Sequence, residues 1–332
     1  MFIVENYSLA VCFCIITMLC WGSWANTQKL ASKQWDFKLF YWDYTIGIIL
    51  ISLLLSFTLG SYGEDGRGFI DDLLIADTSS YKNALIGGII FNLANLLLVI
   101  AIDIAGMSVA FPLGIGLALV IGVLDNYMKD PSANKFLIFS GLILVALAII
   151  LNAVAYKKLP NQKKKSTKGI ALALLAGILM GFFYGFVAES MSFDFVHPAE
   201  GKFTPYSALF IFSIGIFLSN FIWNTINMYW PIVGEKTSFT AYFKQGTFKI
   251  HAIGILGGLI WGLGMGLNLL SSEVASPAVS YGLGQGATMV AAFWGVVIWK
   301  EFKSAPKGTN KIISLMFILF IVGLGLIVYS KI

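Results

Sequence analysis

The sequence predicts an all-α polytopic membrane protein in which ten transmembrane helices form two inverted five-helix repeats. Three observations carry this. Of the 332 residues, 58% are hydrophobic and 12% charged, about half the charged share of a soluble domain, so little of the chain is suited to face water. Ten runs of about 20 mostly apolar residues are long enough to cross a hydrocarbon core. Segments five spans apart also match one another at a constant spacing. The 34 glycines fit the same class, because helices in lipid approach closely through small residues.

The predicted spans are Ser8–Leu30, Leu39–Gly60, Asn83–Ile104, Met107–Met128, Phe136–Tyr156, Gly169–Met191, Tyr206–Tyr229, Ile250–Leu270, Ala275–Lys300 and Ile312–Ser330. The first is read as permanent and not as a cleaved signal: its flank holds Glu5 with no Lys or Arg, and no small-residue cleavage site follows. Cys12, Cys14 and Cys20 all fall inside it and read as small packing residues, since a disulfide framework or zinc site needs partners elsewhere. Spans three and four are nearly continuous around Gly106, and spans eight and nine around Ser272, so the chain must turn sharply there. Most of the 22 basic residues lie in or beside the connections one–two, five–six, seven–eight and nine–ten. The positive-inside bias then makes those connections cytoplasmic and places both termini outside a plasma (inner) membrane. The densest cluster, Lys157, Lys158, Lys163, Lys164, Lys165 and Lys168, marks residues 157–168 as a basic linker between a first repeat, 1–156, and a second, 169–332.

The repeat is visible in two segments. Asn92–Gly116 reads NLANLLLVIAIDIAGMSVAFPLGIG, and Gly262–Gly286 reads GLGMGLNLLSSEVASPAVSYGLGQG. At an offset of 170, Asp103 meets Glu273, Phe111 meets Tyr281, and Gly114 and Gly116 meet Gly284 and Gly286. Leucine matches alone mean little between apolar segments; the acid and the paired glycines in one register carry more weight. Five spans is an odd number, so the copies must point in opposite directions. Inverted repeats are a transporter architecture with a solute site near midplane where the halves meet.

Polar groups at membrane depth supply candidate site residues. Trp21, Trp24 and Tyr184 are expected as cavity walls, and Asn95, Asn268, Tyr281 and Gln285 as hydrogen-bonding groups for a solute. Pro112, Gly114, Gly116, Gly284 and Gly286 should weaken their helices, allowing flexing or close packing. The remaining asparagines, Asn92, Asn220, Asn224 and Asn227 among them, serve equally well as bonds between helices. Asp43 lies about one turn inside span two and is the candidate proton-coupling acid, because a carboxylate at membrane depth is costly unless it works. Its competing role is a structural partner for Lys29. Asp103, Asp125, Glu189 and Glu273 sit near span ends, where water contact is cheap. His197 and His251 read as solvated loop histidines with no acid or cysteine at metal-ligand spacing.

No phosphate-cradling, H-E-x-x-H or G-x-S-x-G motif is present, so neither nucleotide hydrolysis nor hydrolytic catalysis is expected. The reading is a non-enzyme that needs no metal or cofactor, with a small-molecule substrate and the lipid bilayer as its partners and no nucleic acid. The driving ion would be a proton, with sodium the alternative.

Several motifs resemble a known group. Cys20-Trp21-Gly22-Ser23-Trp24 within ten spans looks like the drug/metabolite transporter superfamily. Trp42-Asp43-Tyr44-Thr45, Phe203-Thr204-Pro205-Tyr206-Ser207-Ala208, and Phe293-Trp294-Gly295 with Glu301-Phe302 resemble the branch of the ureide permeases and glucose/ribose porters. That resemblance implies secondary transport, often proton-coupled, of ureides, nucleobase-like compounds or sugars. Plant ureide permeases differ in a longer central loop with a nucleotide-binding-like motif, which residues 157–168 lack. The expected function is proton-coupled uptake of a small neutral polar solute by alternating access. The alternatives are an exporter of amphipathic drugs or metabolites, a lipid-modifying membrane enzyme, and a non-transporting receptor or assembly subunit.

Overall fold

A computed structural model describes residues 1–31, 35–160 and 166–332; the centre of the expected basic linker, with Lys163, Lys164 and Lys165, lies outside the described residues. Ten described helices are long and apolar enough to cross a membrane: α1 (Tyr7–Ala31), α2 (Phe37–Phe57), α3 (Thr78–Ala105), α4 (Met107–Lys129), α5 (Lys135–Lys157), α6 (Thr167–Ser190), α7 (Pro205–Tyr229), α8 (Phe248–Ala275), α9 (Pro277–Ile298) and α10 (Thr309–Tyr329). Caps fix where several begin. Asn6, Asp36, Asn134, Ser166 and Thr247 each accept a backbone N–H of the first turn with the side-chain oxygen, which relieves donors the helix itself cannot satisfy. These polar caps start helices earlier than the apolar runs alone suggest. Thr247 moves the start of α8 from the expected Ile250 to Phe248.

The turn expected near Ser272 lies instead at Ser276, so Glu273 is inside α8. Ser276 caps α9 through the Val279 N–H, and Pro277 occupies the first turn, where its missing N–H costs nothing. Two seven-residue helices not expected from the sequence, Phe69–Ile75 and Phe239–Gln245, lie in the connections.

The offset of 170 recurs in the backbone. Thr78–Ala105 and Phe248–Ala275 are both 28 residues long and lie in that register, as do the two short helices. Gly106 joins α3 to α4 with φ 79° and ψ 164°; its mate Ser276 joins α8 to α9 with φ 73° and ψ 152°. A serine in that region is strained, and it takes the conformation its glycine counterpart takes freely.

Each half lends its helices to the other. α2 packs on α8 as α7 packs on α3, α1 on α8 as α6 on α3, and α9 on α1 as α4 on α6, while α5 lies along α10. The two crossings made by α2 and α7 are backbone to backbone. A Cβ on Gly258 would strike the Tyr44 carbonyl and Gly47, and one on Gly88 would strike the Phe212 carbonyl and Gly215. Gly258→Leu or Gly88→Leu should therefore force these helices apart at a cost of about 1–3 kcal/mol or more. Thermal unfolding of the detergent-solubilised protein should show a clearly lowered midpoint for both; an unchanged midpoint would refute the close crossing.

Candidate functional site

A cavity of about 350 Å³ lies between α1, α3, α4, α6, α8 and α9. It runs from the middle of these spans toward the end where α1 and α3 finish and α4 and α6 begin, the end that carries the central linker. Its deepest wall is aromatic. The Trp261 ring stacks on Phe91 at 4.3 Å between centroids and on Trp21 at 5.8 Å, and the Trp21 Nε1–H donates to the Trp261 carbonyl at 3.3 Å. Phe91 and Trp261 are mates in the 170 register, so their contact falls where the two halves meet. Gln28, Asn95, Gln285 and Thr288 add hydrogen-bonding groups, and among the described lining residues none is ionisable. Asn95 Nδ2 donates to the Tyr41 hydroxyl at 3.1 Å, which leaves its carbonyl oxygen and second amide hydrogen for a solute.

Of the residues singled out from the sequence, Trp21, Trp24, Asn95, Gln285 and Gly114 line this cavity. Tyr184, Asn268 and Tyr281 do not. They are fully buried on the far side of the Phe91–Trp261 pair, Asn268 lying about two turns beyond Trp261 along α8. There the Tyr184 hydroxyl pairs with Ser280 Oγ at 3.1 Å, and Asn268 Nδ2 donates to the Ser280 carbonyl at 2.8 Å. The Tyr281 hydroxyl donates to the carbonyls of Met180 (3.1 Å) and Ala118 (3.3 Å). The physical reason is close packing: the Tyr281 ring fills the gap over Gly122 of α4.

Pro112, Gly114 and Gly116 fall in a widened π-helical turn, Phe111–Gly116. At the matching place in α9 the helix breaks at Gly284, where the missing Cβ makes room for the Trp21 ring, and Gly286 lies against Met18.

Asp43 is buried, but it does not line the cavity. Its Oδ1 accepts the Tyr242 hydroxyl at 2.5 Å and lies 2.8 Å from His251 Nδ1; its Oδ2 is buried without a hydrogen-bond partner. Gly254, three residues after His251, gives the carboxylate room against α8, and the Trp35 ring meets the imidazole edge-on at 5.3 Å. Burial, and then Asp43 itself, hold the Tyr242 phenol above the ordinary tyrosine range, so it stays a donor. His251 is thus not a solvated loop residue: the Thr247 cap draws it into the first turn of α8, facing the acid. His197 is an exposed loop residue beside Asp194. Lys29, the alternative partner for Asp43, pairs with Glu301 at 2.7 Å. The residues flanking Asp43 on α2 do reach the cavity wall: Tyr41 holds Asn95, and Tyr44 packs on Trp24 at 4.7 Å.

Several of the other amides and acids bridge helices or loops, while the Asn220 amide is buried with no hydrogen-bond partner. Asn92 donates to the Ile216 carbonyl and Asn224 to the Lys38 carbonyl. Asp125 and Glu189 share Lys129, and Glu273 accepts the Phe195 N–H. Sequence reasoning missed Phe91, Trp261, Gln28, Thr288, Tyr242 and the role of His251. Phe91 and Trp261 could have been found as an aromatic pair in the 170 register.

The ureide permease family model matches residues 40–168 and 157–330. Ureide permease 1 and Ureide permease 2 of Arabidopsis thaliana are 23% and 24% identical, each over 100% of this chain and 99% of the relative. A "Probable glucose uptake protein GlcU" of Staphylococcus aureus is 24% identical over 63% of this chain and 65% of its own. A solved crystal structure of 13% identity, covering 96% of either chain, superposes with a TM-score of 0.61 and shows the same fold. The chain is therefore a multi-pass membrane transporter, not an enzyme, and it belongs to the ureide permease family.

Proposed function

We propose that this transporter takes up a small neutral polar solute of the ureide or nucleobase class by alternating access, driven by a proton gradient across the plasma (inner) membrane. The observation that carries the reading is the uncharged cavity floored by stacked Phe91, Trp261 and Trp21 and flanked by Asn95 and Gln285. Flat rings supply faces for a planar heterocycle, and amides match its N–H and C=O edges. The names of the plant relatives point the same way; the GlcU name makes a sugar the second substrate class. A cavity reaching only one end of the spans supports alternating access, with the linker end cytoplasmic and both termini outside. The apolar stretch Leu98, Val99, Ile102 and Met107 along the cavity favours the second reading, an exporter of amphipathic compounds. Competition by lipophilic cations against uptake would favour that reading, and competition by ureides the first.

In proteoliposomes, uptake of a radiolabelled ureide or nucleobase should be saturable. Trp261→Ala should raise KM by about 2- to 10-fold, the equivalent of about 0.5–1.5 kcal/mol of ring contact. An unaltered KM in a folded variant would remove the aromatic floor from the binding site.

Asp43, held by His251 and Tyr242, is the proposed proton site. No cofactor is involved, and sodium is the alternative ion. With the external side made acidic, wild-type uptake should rise. Asp43→Asn should abolish that stimulation while leaving solute exchange between equal concentrations, and His251→Gln should shift its pH dependence. Full acid stimulation in Asp43→Asn would exclude this carboxylate as the coupling acid.

A further inference from the structure

We propose that the helices enclosing the present cavity build a second one on the opposite side of the Phe91–Trp261 pair, lined by Tyr184, Asn268, Ser272 and Tyr281 when the linker end closes. The inference rests on the transport reading and deepens it by assigning the half of the solute path nearest the other membrane face.

The register comes first. In the offset of 170, the cavity-lining residues Leu98, Ile102 and Phe111 fall on Asn268, Ser272 and Tyr281. For α1 and α6 the register is set by packing. Gly22 seats on Ala287 and Val290 of α9, and Gly181 on Ala118 and Ile121 of α4, one residue out of the 170 register. Three residues further on lie Ala25, which lines the cavity, and its mate Tyr184.

The two ends of this one frame hold different arrangements. At the linker end, Ala25 and Phe111 border open space. At the far end, their mates Tyr184 and Tyr281 touch at 5.2 Å between ring centroids, and Tyr281 fills the gap over Gly122. Exchanging these arrangements between the two repeats closes one end and opens the other. The opened end then exposes the mates of the residues exposed now.

Chemistry distinguishes the second cavity from the first. Where the linker-end half presents Ala25, Leu98, Ile102 and Phe111, the far half presents a phenol, an amide, a hydroxyl and a second phenol. Asn268 is fully buried, yet its Oδ1 has no hydrogen-bond partner. As the wall of an opening cavity, it accepts an N–H or O–H from a neutral amide- or hydroxyl-bearing solute. The solute then meets hydrogen-bonding groups at one face and an apolar passage toward the other.

The test is side-resolved cysteine labelling with a membrane-impermeant methanethiosulfonate reagent on oriented vesicles. The parent has Cys12, Cys14 and Cys20 replaced and carries one cysteine at Val99 or Ile102, or at their mates Leu269 or Ser272. Val99→Cys and Ile102→Cys should react from the linker-end face, and Leu269→Cys and Ser272→Cys from the opposite face. Adding Gly122→Leu, which unseats the Tyr281 ring, should raise the rate at Ser272→Cys about tenfold and lower it at Ile102→Cys, as a shared two-state equilibrium requires. Labelling of Leu269→Cys and Ser272→Cys from the linker-end face, or of neither position from the far face in variants that still take up solute, overturns the proposal. Labelling needs no solute. The expected pattern with no uptake of ureide, nucleobase or sugar would sink the substrate reading and leave the second cavity standing; uptake with both positions inert would do the reverse.

Discussion

Backbone-to-backbone contact at Gly88 and Gly258 is the constraint on which the rest of this molecule depends. Lipid tails are as apolar as leucine, so no hydrophobic force presses two helices together in a bilayer; close approach and hydrogen bonds must do it. At these two glycines α3 meets α7, and α8 meets α2, each contact joining the halves. One heptad or less along the same helices stand Phe91 and Trp261, three residues past Gly88 and Gly258. With α3 and α8 held in place by their crossings, the two rings meet at the junction of the halves. The aromatic floor of the cavity is thus set by where small residues lie one turn away.

The helices and the register between halves were legible because both are carried by properties a sequence displays directly: apolar length, basic flanks, and an acid with paired glycines recurring at one spacing. Trp21, Trp24, Asn95 and Gln285 were legible as polar or amphipathic groups on apolar faces. What a sequence does not display is where between the helices the space lies. Tyr184, Asn268 and Tyr281 have the same kind of depth and polarity as Asn95, yet they are packed between helices because the Tyr281 ring occupies the space over Gly122. His251 was misplaced for a local reason. An apolar run beginning at Ile250 leaves it at a helix edge, whereas the Thr247 cap adds the two residues Phe248 and Lys249 ahead of that run and turns the imidazole toward Asp43. Phe91 and Trp261 escaped notice because single aromatic residues in apolar helices carry no polarity signal.

The 170 register also pairs the two short helices, and the comparison shows where the halves stop being alike. At the far end, Asp72 on the first short helix pairs with Arg67 at 2.9 Å and accepts the N–H and hydroxyl of Thr204 at the start of α7. Its mate on the second short helix is Tyr242, which reaches into α2 to donate to Asp43. Tyr81, edge-on to Phe203 beside the first clamp, has His251, edge-on to Trp35, as its counterpart beside the second. Each clamp fastens a short helix of one half to the second span of the other.

Their chemistry differs in the donors that hold the carboxylate. The far clamp is held by a guanidinium, which keeps its charge at any pH the protein meets. The linker-end clamp is held by a phenol that stays protonated and an imidazole, the side-chain type that exchanges protons near neutral pH. A carboxylate between those two donors is gripped hardest when it is ionised and the imidazole charged, and less when either charge is lost. In the proposed coupling it is this clamp that loosens as protons move; it lies at the end where the cavity is open, and its neighbours on α2 meet the cavity wall through Tyr41 on Asn95 and Tyr44 on Trp24. The two clamps thus stand at equivalent places of the repeat with different donors, a guanidinium on one carboxylate and an imidazole with a phenol on the other, and this asymmetry is what the proposed proton coupling rests on.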